Sequence, residues 1–369
     1  MGGYMLKIRI AILSCVMTAS AFGQAKVGSA GARSLAISPS VEAFGMGGVS
    51  VMRWSGNWSS YFNPATLAFA DFQYFSLSAF PGGMDLIDGD PGLAQRSLAV
   101  SVNWKSFLNL PPKYTGGVSY IRNAFATGPI EETSYEQGTE DGSGTAFRAN
   151  SAAHTLSLAL GYSSNVKFGL GISYTHYTED YSDYGSYGNM LNFGVIGKMP
   201  ILLGGSASDS GSGRLRADLS LGAEIGNIGP QMKFLEKAYP LPHAARFGAG
   251  FDLRYKWLTV FPAFEWEDQY ANNQSYMHSG AEVGLFEFAA LRIGYISAPT
   301  VTGDVTTYGL SLSSLPVTRH LVGVKPANDE GFFIYLLRNM NLKFSYAHGE
   351  SDGGYYQDGA DYYALEISL

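Results

Sequence analysis

Arg246-Phe247-Gly248-Ala249-Gly250-Phe251-Asp252-Leu253-Arg254-Tyr255 alternates without a break. Phe247, Ala249, Phe251, Leu253 and Tyr255 fall on one parity. Arg246, Gly248, Gly250, Asp252 and Arg254 fall on the other. A period of two means a strand with two unlike faces. The same stencil recurs upstream, where Leu215, Ala217, Leu219, Leu221, Ala223 and Ile225 alternate with Arg216, Asp218, Ser220, Gly222 and Glu224. In a soluble sandwich the apolar parity would turn to a core. Here that parity is rich in aromatics, the other is glycine, serine and charge, and a secretory leader precedes both. The combination predicts an all-β transmembrane barrel, with the apolar face in lipid and the polar face on the lumen.

The leader is read from Lys7 and Arg9, followed by an apolar stretch (Ile8, Ile10 to Met17) too short to span a bilayer. Residues 1–23 are its expected extent, with cleavage after Gly23 or Ala25. Ile12-Leu13-Ser14-Cys15 offers a lipoprotein reading as the alternative. Cys15 is the sole cysteine, so with the leader removed there is no disulfide and no thiolate chemistry. No later run is long and apolar enough for a helical span. The chain holds 46 Gly, 24 Tyr and 22 Phe with only 15% charged residues, a balance unlike that of a soluble enzyme. Glycine lets strands curve and tyrosine suits the membrane–water boundary. A net charge of −7 argues against a nucleic-acid partner, which requires clustered Lys and Arg.

Strands are expected from about residue 71 onward, making 71–369 the barrel. The clearer lipid-facing sets are Leu98/Val100/Val102/Trp104, Leu156/Leu158/Leu160/Tyr162, Val166/Phe168/Leu170/Ile172/Tyr174, Leu191/Phe193/Val195, Leu291/Ile293/Tyr295 and Tyr308/Leu310/Leu312. Val118–Ile121 reads as a short strand, and Phe332–Leu337 as another. The count is 14 to 16; single-chain bacterial barrels are even-numbered, which favours 14 antiparallel strands. Ser163-Ser164-Asn165 makes a short periplasmic hairpin. Segments 122–152, 177–188, 204–213, 268–278, 298–305 and 349–361 read as long polar outer loops. Leu365, Ile367 and Leu369 end the chain inside a strand, in partial likeness to the signal that delivers barrels to their assembly machinery.

Residues 24–70 do not alternate and are too few to own a core. They are expected to form a plug or hatch in the barrel mouth. Pro39-Ser40-Val41-Glu42-Ala43-Phe44 starts a short helix, which Gly45-Met46-Gly47-Gly48 would stop. Asn63-Pro64-Ala65 is a second turn or helix start. Pro39, Glu42, Gly45, Met46, Gly47, Gly48, Asn63 and Pro64 are therefore the candidate plug or gate residues. The glycine run lacks the Lys-Ser/Thr and the preceding strand of a phosphate-binding loop.

Ile37-Ser38-Pro39-Ser40-Val41-Glu42-Ala43-Phe44-Gly45-Met46-Gly47-Gly48 and Tyr61-Phe62-Asn63-Pro64-Ala65-Thr66-Leu67-Ala68 resemble the PorV/PorQ family, within the wider FadL-like group of outer-membrane barrels. Leu241-Pro242 and Ala290-Leu291-Arg292-Ile293-Gly294-Tyr295 read as further family phrases. Arg53-Trp54-Ser55-Gly56-Asn57-Trp58 stands where the family often carries acidic residues. The resemblance implies a 14-stranded barrel with its N-terminal segment tucked inside. It implies two trades: receiving exported protein cargo of a type IX-like secretion system, or passing hydrophobic molecules inward.

His154, His176, His243, His278, His320 and His348 share no metal-site spacing, and no nucleophile motif stands out. No enzyme, metal or cofactor is expected. Asp352, Asp358 and Asp361 lack EF-hand spacing and read as solvated loop charge rather than a calcium site. Tyr174, Tyr177, Tyr181, Tyr184 and Tyr187 read as an interfacial girdle, with a docking surface as the alternative. Arg216, Asp218, Glu224, Arg246, Asp252, Arg254, Glu282 and Arg292 are expected to face the lumen and cross-brace its wall. The expected partners are outer-membrane lipids, the barrel-assembly machinery, and either a secreted protein or secretion complex or a hydrophobic ligand. Protein delivery or scaffolding is placed ahead of hydrophobic uptake because the 37–68 motif sits closer to PorV/PorQ.

Overall fold

The computed structural model describes residues 31–54, 56–80, 93–108, 111–127, 130–131, 146–147, 149–181, 184–201, 215–234, 236–270, 274–297, 304–322, 332–351 and 360–369. The expected leader and Asp352 and Asp358 lie outside them.

Fourteen strands close into one barrel. They are β1 (Phe75–Phe80), β2 (Leu93–Asn103), β3 (Tyr114–Thr127), β4 (Ala149–Ser163), β5 (Lys167–Tyr181), β6 (Tyr184–Ile201) and β7 (Arg216–Ile228), then β8 (Ala244–Tyr255), β9 (Leu258–Gln269), β10 (Gln274–Leu285), β11 (Ala289–Ser297), β12 (Val305–Ser313), β13 (Asn341–Ser351) and β14 (Ala360–Ser368). Each pairs antiparallel with its sequence neighbours, and β1 meets β14 through Ser76↔Ser368 to Ala79↔Leu365. Closure leaves no sheet edge, which is what a strand-built protein needs inside lipid. No helix among the described residues is long and apolar enough to cross a membrane.

The two parities separate as the stencil requires. On β8 and its neighbour β7, Phe251 stands opposite Leu219 and both point outward. Gly248 stands opposite Gly222 on the inner face, where both are buried. Leu158, Phe168, Leu170, Phe193, Phe264, Leu291, Ile293 and Tyr308 are likewise exposed on the outside. This apolar belt, on a closed barrel, makes the protein an outer-membrane barrel.

Several expectations about segments are corrected. Phe332–Leu337 is not a strand: Phe332–Asn339 is a helix, as is Leu315–Val322 before it. A short apolar run has no periodicity that separates strand from buried helix. Pro316 at the first turn of the earlier helix is the usable start signal. Segment 177–188 is not a long loop, since β5 runs to Tyr181 and β6 begins at Tyr184. Segment 122–152 is shortened from both sides by β3 and β4. Segment 268–278 is cut by β9 and β10, which reach Gln269 and resume at Gln274. Segment 204–213 lies outside the described residues; the strands that flank it, β6 ending at Ile201 and β7 beginning at Arg216, face the end of the barrel that carries the Ser163–Lys167 turn and Leu369. That end is called the turn end below and the opposite one the loop end.

Candidate functional site

Residues 31–72 enter the lumen ahead of β1. They hold α1 (Val41–Gly45), α2 (Ser59–Phe62) and 3-10 turns at Arg33–Ala36 and Pro64–Phe69. Ser40 caps α1 by accepting from the Ala43 amide at 3.1 Å, with Glu42 in the first turn. Gly47 and Gly48 then adopt φ of +68° and +85°, the left-handed region that ends the helix. Asn63 caps the second 3-10 turn through the Ala65 amide at 3.0 Å, and Pro64 occupies its first position.

In two runs, Gly45–Val51 and Asn63–Ala68, this segment lies against nine consecutive strands, β12 to β4. Eight of those contacts are made against a glycine of the wall. A Cβ on Gly309 would lie 3.2 Å from the Gly45 Cα. One on Gly294 would overlap the Gly47 amide, and one on Gly280 the Met46 carbonyl. One on Gly248 would lie 2.8 Å from Val51, and one on Gly222 would overlap the Val51 carbonyl. One on Gly194 would overlap Asn63, one on Gly171 the Ala65 amide, and one on Gly161 would sit 2.9 Å from Ala68. Many of these glycines pair across the wall: Gly280↔Gly294, Gly222↔Gly248, Gly171↔Gly194 and Gly161↔Gly169. They form a smooth track on which the backbone and short side-chain atoms of the segment lie directly against the wall backbone. On β9 a carboxylate replaces the glycine, and Glu265 accepts from the Ser50 amide at 2.7 Å and the Val51 amide at 2.9 Å.

Between the two runs of the track, residues 52–62 cross the lumen. Asn57 donates to Ser78 on β1 at 2.9 Å, and Ser60 meets Ser119 on β3 at 2.8 Å. Asn63 pulls the crossing closed by donating to the Val51 carbonyl at 2.6 Å and to the Val195 carbonyl on β6 at 3.1 Å.

Charge fixes the segment from two sides. Arg53 meets Glu282 at 2.6 Å, and Arg292 meets the same carboxylate at 2.7 Å and Glu42 at 3.6 Å. Lys343 pairs with Glu42, and Ser345 donates to it at 3.3 Å. Burial alone would raise the Glu42 carboxyl, but Lys343 and Arg292 outweigh it and hold it below its ordinary 4.5. Arg246 lies among Glu224 at 3.3 Å, Glu267 at 2.9 Å and Glu265 at 3.9 Å, and its guanidinium covers the Phe62 ring at 5.1 Å. His278 bridges the Gly47 carbonyl at 2.7 Å and Glu267 at 3.4 Å.

Four of the eight sequence-derived lumen charges (Glu224, Arg246, Glu282 and Arg292) therefore come together in buried ion pairs. Asp252 and Arg254 pair with each other at the turn end. Arg216 is exposed at the start of β7, and Asp218 is half-buried beside it. Sequence reasoning missed Glu265, Glu267, His278, Lys343 and Arg53. The available signal was Phe264-Glu265-Trp266-Glu267, where the stencil itself turns both carboxylates inward. Of the tyrosine stretch, Tyr174, Tyr181, Tyr184 and Tyr187 are exposed, but Tyr177 faces inward and shares a hydrogen bond of 2.9 Å with Ser34.

Toward the loop end an apolar cluster lies beside the Arg246 ion cluster. Leu35, Phe44, Trp58, Tyr61 and Phe62 of the segment pack with wall residues Phe80, Ile121, Tyr177, Met190 and Tyr362. Phe44 and Tyr362 lie 4.2 Å apart. The β7–β8 connection folds inward over this cluster, burying Met232 and Leu241, and the Gly31 amide donates to its Pro240 carbonyl at 2.9 Å. A cavity of about 10 Å³, room for one water, lies between Leu35, Tyr61, Glu224 and Arg246.

No family model matches the chain, and no curated protein matches it. Among solved structures it is similar to the toluene transporter TbuX of Ralstonia pickettii, at 12% identity and a TM-score of 0.48 over 90% of this chain and 96% of that one. It is similar to the toluene transporter TodX of P. putida, at 11% identity and a TM-score of 0.44 over 94% and 98%. It is similar to a Pseudomonas aeruginosa FadL homologue, at 10% identity and a TM-score of 0.38 over 88% and 95%. The fold assignment rests on the strand ladder itself, and the PorV/PorQ resemblance rests on its sequence phrases.

Proposed function

We propose that this barrel passes hydrophobic small molecules across the outer membrane without catalysis, and that residues 31–72 are its plug. The observation that carries this reading is the apolar cluster in the loop-end half of the lumen, built jointly by the plug and the wall. A diffusion pore for polar solutes keeps a polar, water-filled interior. Here aromatic and aliphatic side chains meet where a guest would first arrive. With room for one water beside Tyr61, a guest enters by displacing side chains of the plug or of the β7–β8 connection. This reading places hydrophobic uptake ahead of delivery of a protein cargo, which draws its support from the 37–68 resemblance.

The test is accumulation of a radiolabelled apolar aromatic and of a polar sugar by cells carrying the barrel as their added outer-membrane protein. The reading expects faster entry of the aromatic with no gain for the sugar. Equal entry of both, or of neither, contradicts it.

A further inference from the structure

The helices between β12 and β13, α4 (Leu315–Val322) and α5 (Phe332–Asn339), are inverted relative to a soluble helical pair. (α3 is the Lys105–Leu108 turn after β2.) A soluble pair buries its apolar residues and exposes its charges. Here Leu321 is 78% exposed and Phe333 70%, with Val317 and Ile334 also exposed, while Arg338 is 6% exposed. The two helices touch through polar groups, the Arg319 guanidinium donating to the Arg338 carbonyl at 3.4 Å. Val317 and Leu321 are four residues apart and so share one face of α4.

This apolar face continues the lipid belt. The Ser314 amide, just ahead of α4, donates at 2.9 Å to the carbonyl of Leu342, an outward residue of β13. The Ser313 amide donates at 2.8 Å to the carbonyl of Phe288. Phe288 and Phe286 are exposed in the β10–β11 turn, and Phe286 stacks on Trp257 of the β8–β9 turn with ring centroids 4.9 Å apart. The turn end thus carries a run of exposed apolar groups from Trp257 to α4, next to outward Leu312 and Phe344.

We infer that α4 and α5 form an interfacial membrane-binding element, lying in the headgroup region of the leaflet at the turn end with Leu321 and Phe333 among the acyl chains. It would widen the lipid footprint of the barrel beside Lys343, the strand residue that holds Glu42 of the inner segment.

The test places a nitroxide at Leu321→Cys and at Phe333→Cys, each with Cys15→Ser, in full-length protein reconstituted into phosphatidylethanolamine–phosphatidylglycerol vesicles. Power-saturation spectra then compare collisions with oxygen, which partitions into lipid, and with a water-soluble nickel chelate. Heat-modifiable migration checks that each variant is an assembled barrel. The inference expects oxygen access above nickel access at both sites, as at a Leu342→Cys label in the belt. Nickel access above oxygen access places the helices in water and overturns it. Shielding from both reagents means packing against protein and also overturns it. Water exposure that disappears only on adding soluble envelope proteins would mark a protein partner instead of lipid.

Discussion

Gly294 on β11 and Gly47 of the inner segment approach so closely that a Cβ on Gly294 would overlap the Gly47 amide, while the Gly47 amide itself donates to Thr307 on β12 at 2.9 Å. The wall yields its side chains so that a backbone can lie flat on it and still find its hydrogen bonds. An unpaired backbone amide buried there would cost about 1–3 kcal/mol, so fit and bonding act together.

Gly294→Ala and Gly280→Ala should therefore unseat the segment. Each adds a methyl against backbone atoms that have no room to move, an overpacking cost of about 1–3 kcal/mol. The expected result is a barrel that still assembles but whose residues near Gly47 become accessible to protease. Gly197→Ala is the control, since its Cβ would meet nothing nearer than the Lys167 carbonyl oxygen at 4.0 Å. Equal protease resistance in all three would show that the track is not what seats the segment.

Arg246 is the guanidinium set among three buried carboxyl groups. Arg246→Met keeps much of the stem and removes the charge, leaving Glu224, Glu265 and Glu267 without their shared guanidinium partner. Breaking a buried pair in this way costs about 3–5 kcal/mol. Urea unfolding in detergent or vesicles should show a loss of that order, partly recovered by adding Glu224→Gln. A double variant as unstable as the single one would argue that the two groups do not interact.

Much of this was legible in the sequence. The alternation at 215–225 and 246–255 is set by the pleat, and it separates lipid from lumen without any tertiary knowledge. Ser40 and Asn63 act as caps through bonds two or three residues away, so local chemistry exposes them too. The glycine track was not legible, because glycine on a lumen face is equally consistent with curvature. Only the registers that set Gly222 beside Gly248 and Gly280 beside Gly294 turn single residues into a surface. Phe332–Leu337 reads as a strand, although it lies in the helix Phe332–Asn339, because its apolar run is shorter than the length at which the two periods separate.

Phe251→Arg should destabilise the barrel by about 2–4 kcal/mol in vesicles, because Phe251 points into lipid toward the middle of β8, and Leu219→Arg, nearer the turn end of β7, should cost less. Arg at Ser220, on the opposite parity of β7, should avoid the lipid cost and act through crowding alone. Matched unfolding curves would decide, and a loss at Ser220 as large as that at Phe251 would reverse the assigned facing.

Acid should loosen the segment through Glu42. Its carboxyl is held below the ordinary value in the folded protein, so its contribution is present above pH 4.5 and is lost as pH falls through the lower folded value. Protease access near residue 42 should rise in the native protein as the pH falls below 4.5 toward the lower folded value. Glu42→Gln should raise access at neutral pH and flatten the acid dependence. An unchanged acid profile in the variant would place the titrating group elsewhere.

That the barrel takes up apolar small molecules is tested most directly by native mass spectrometry of the protein extracted gently from its own outer membrane. The account predicts a bound mass of a few hundred daltons, released on activation and identified as an apolar or lipid-like compound. A barrel that arrives carrying a protein, or that carries no small molecule even when loaded with apolar aromatics beforehand, would contradict it.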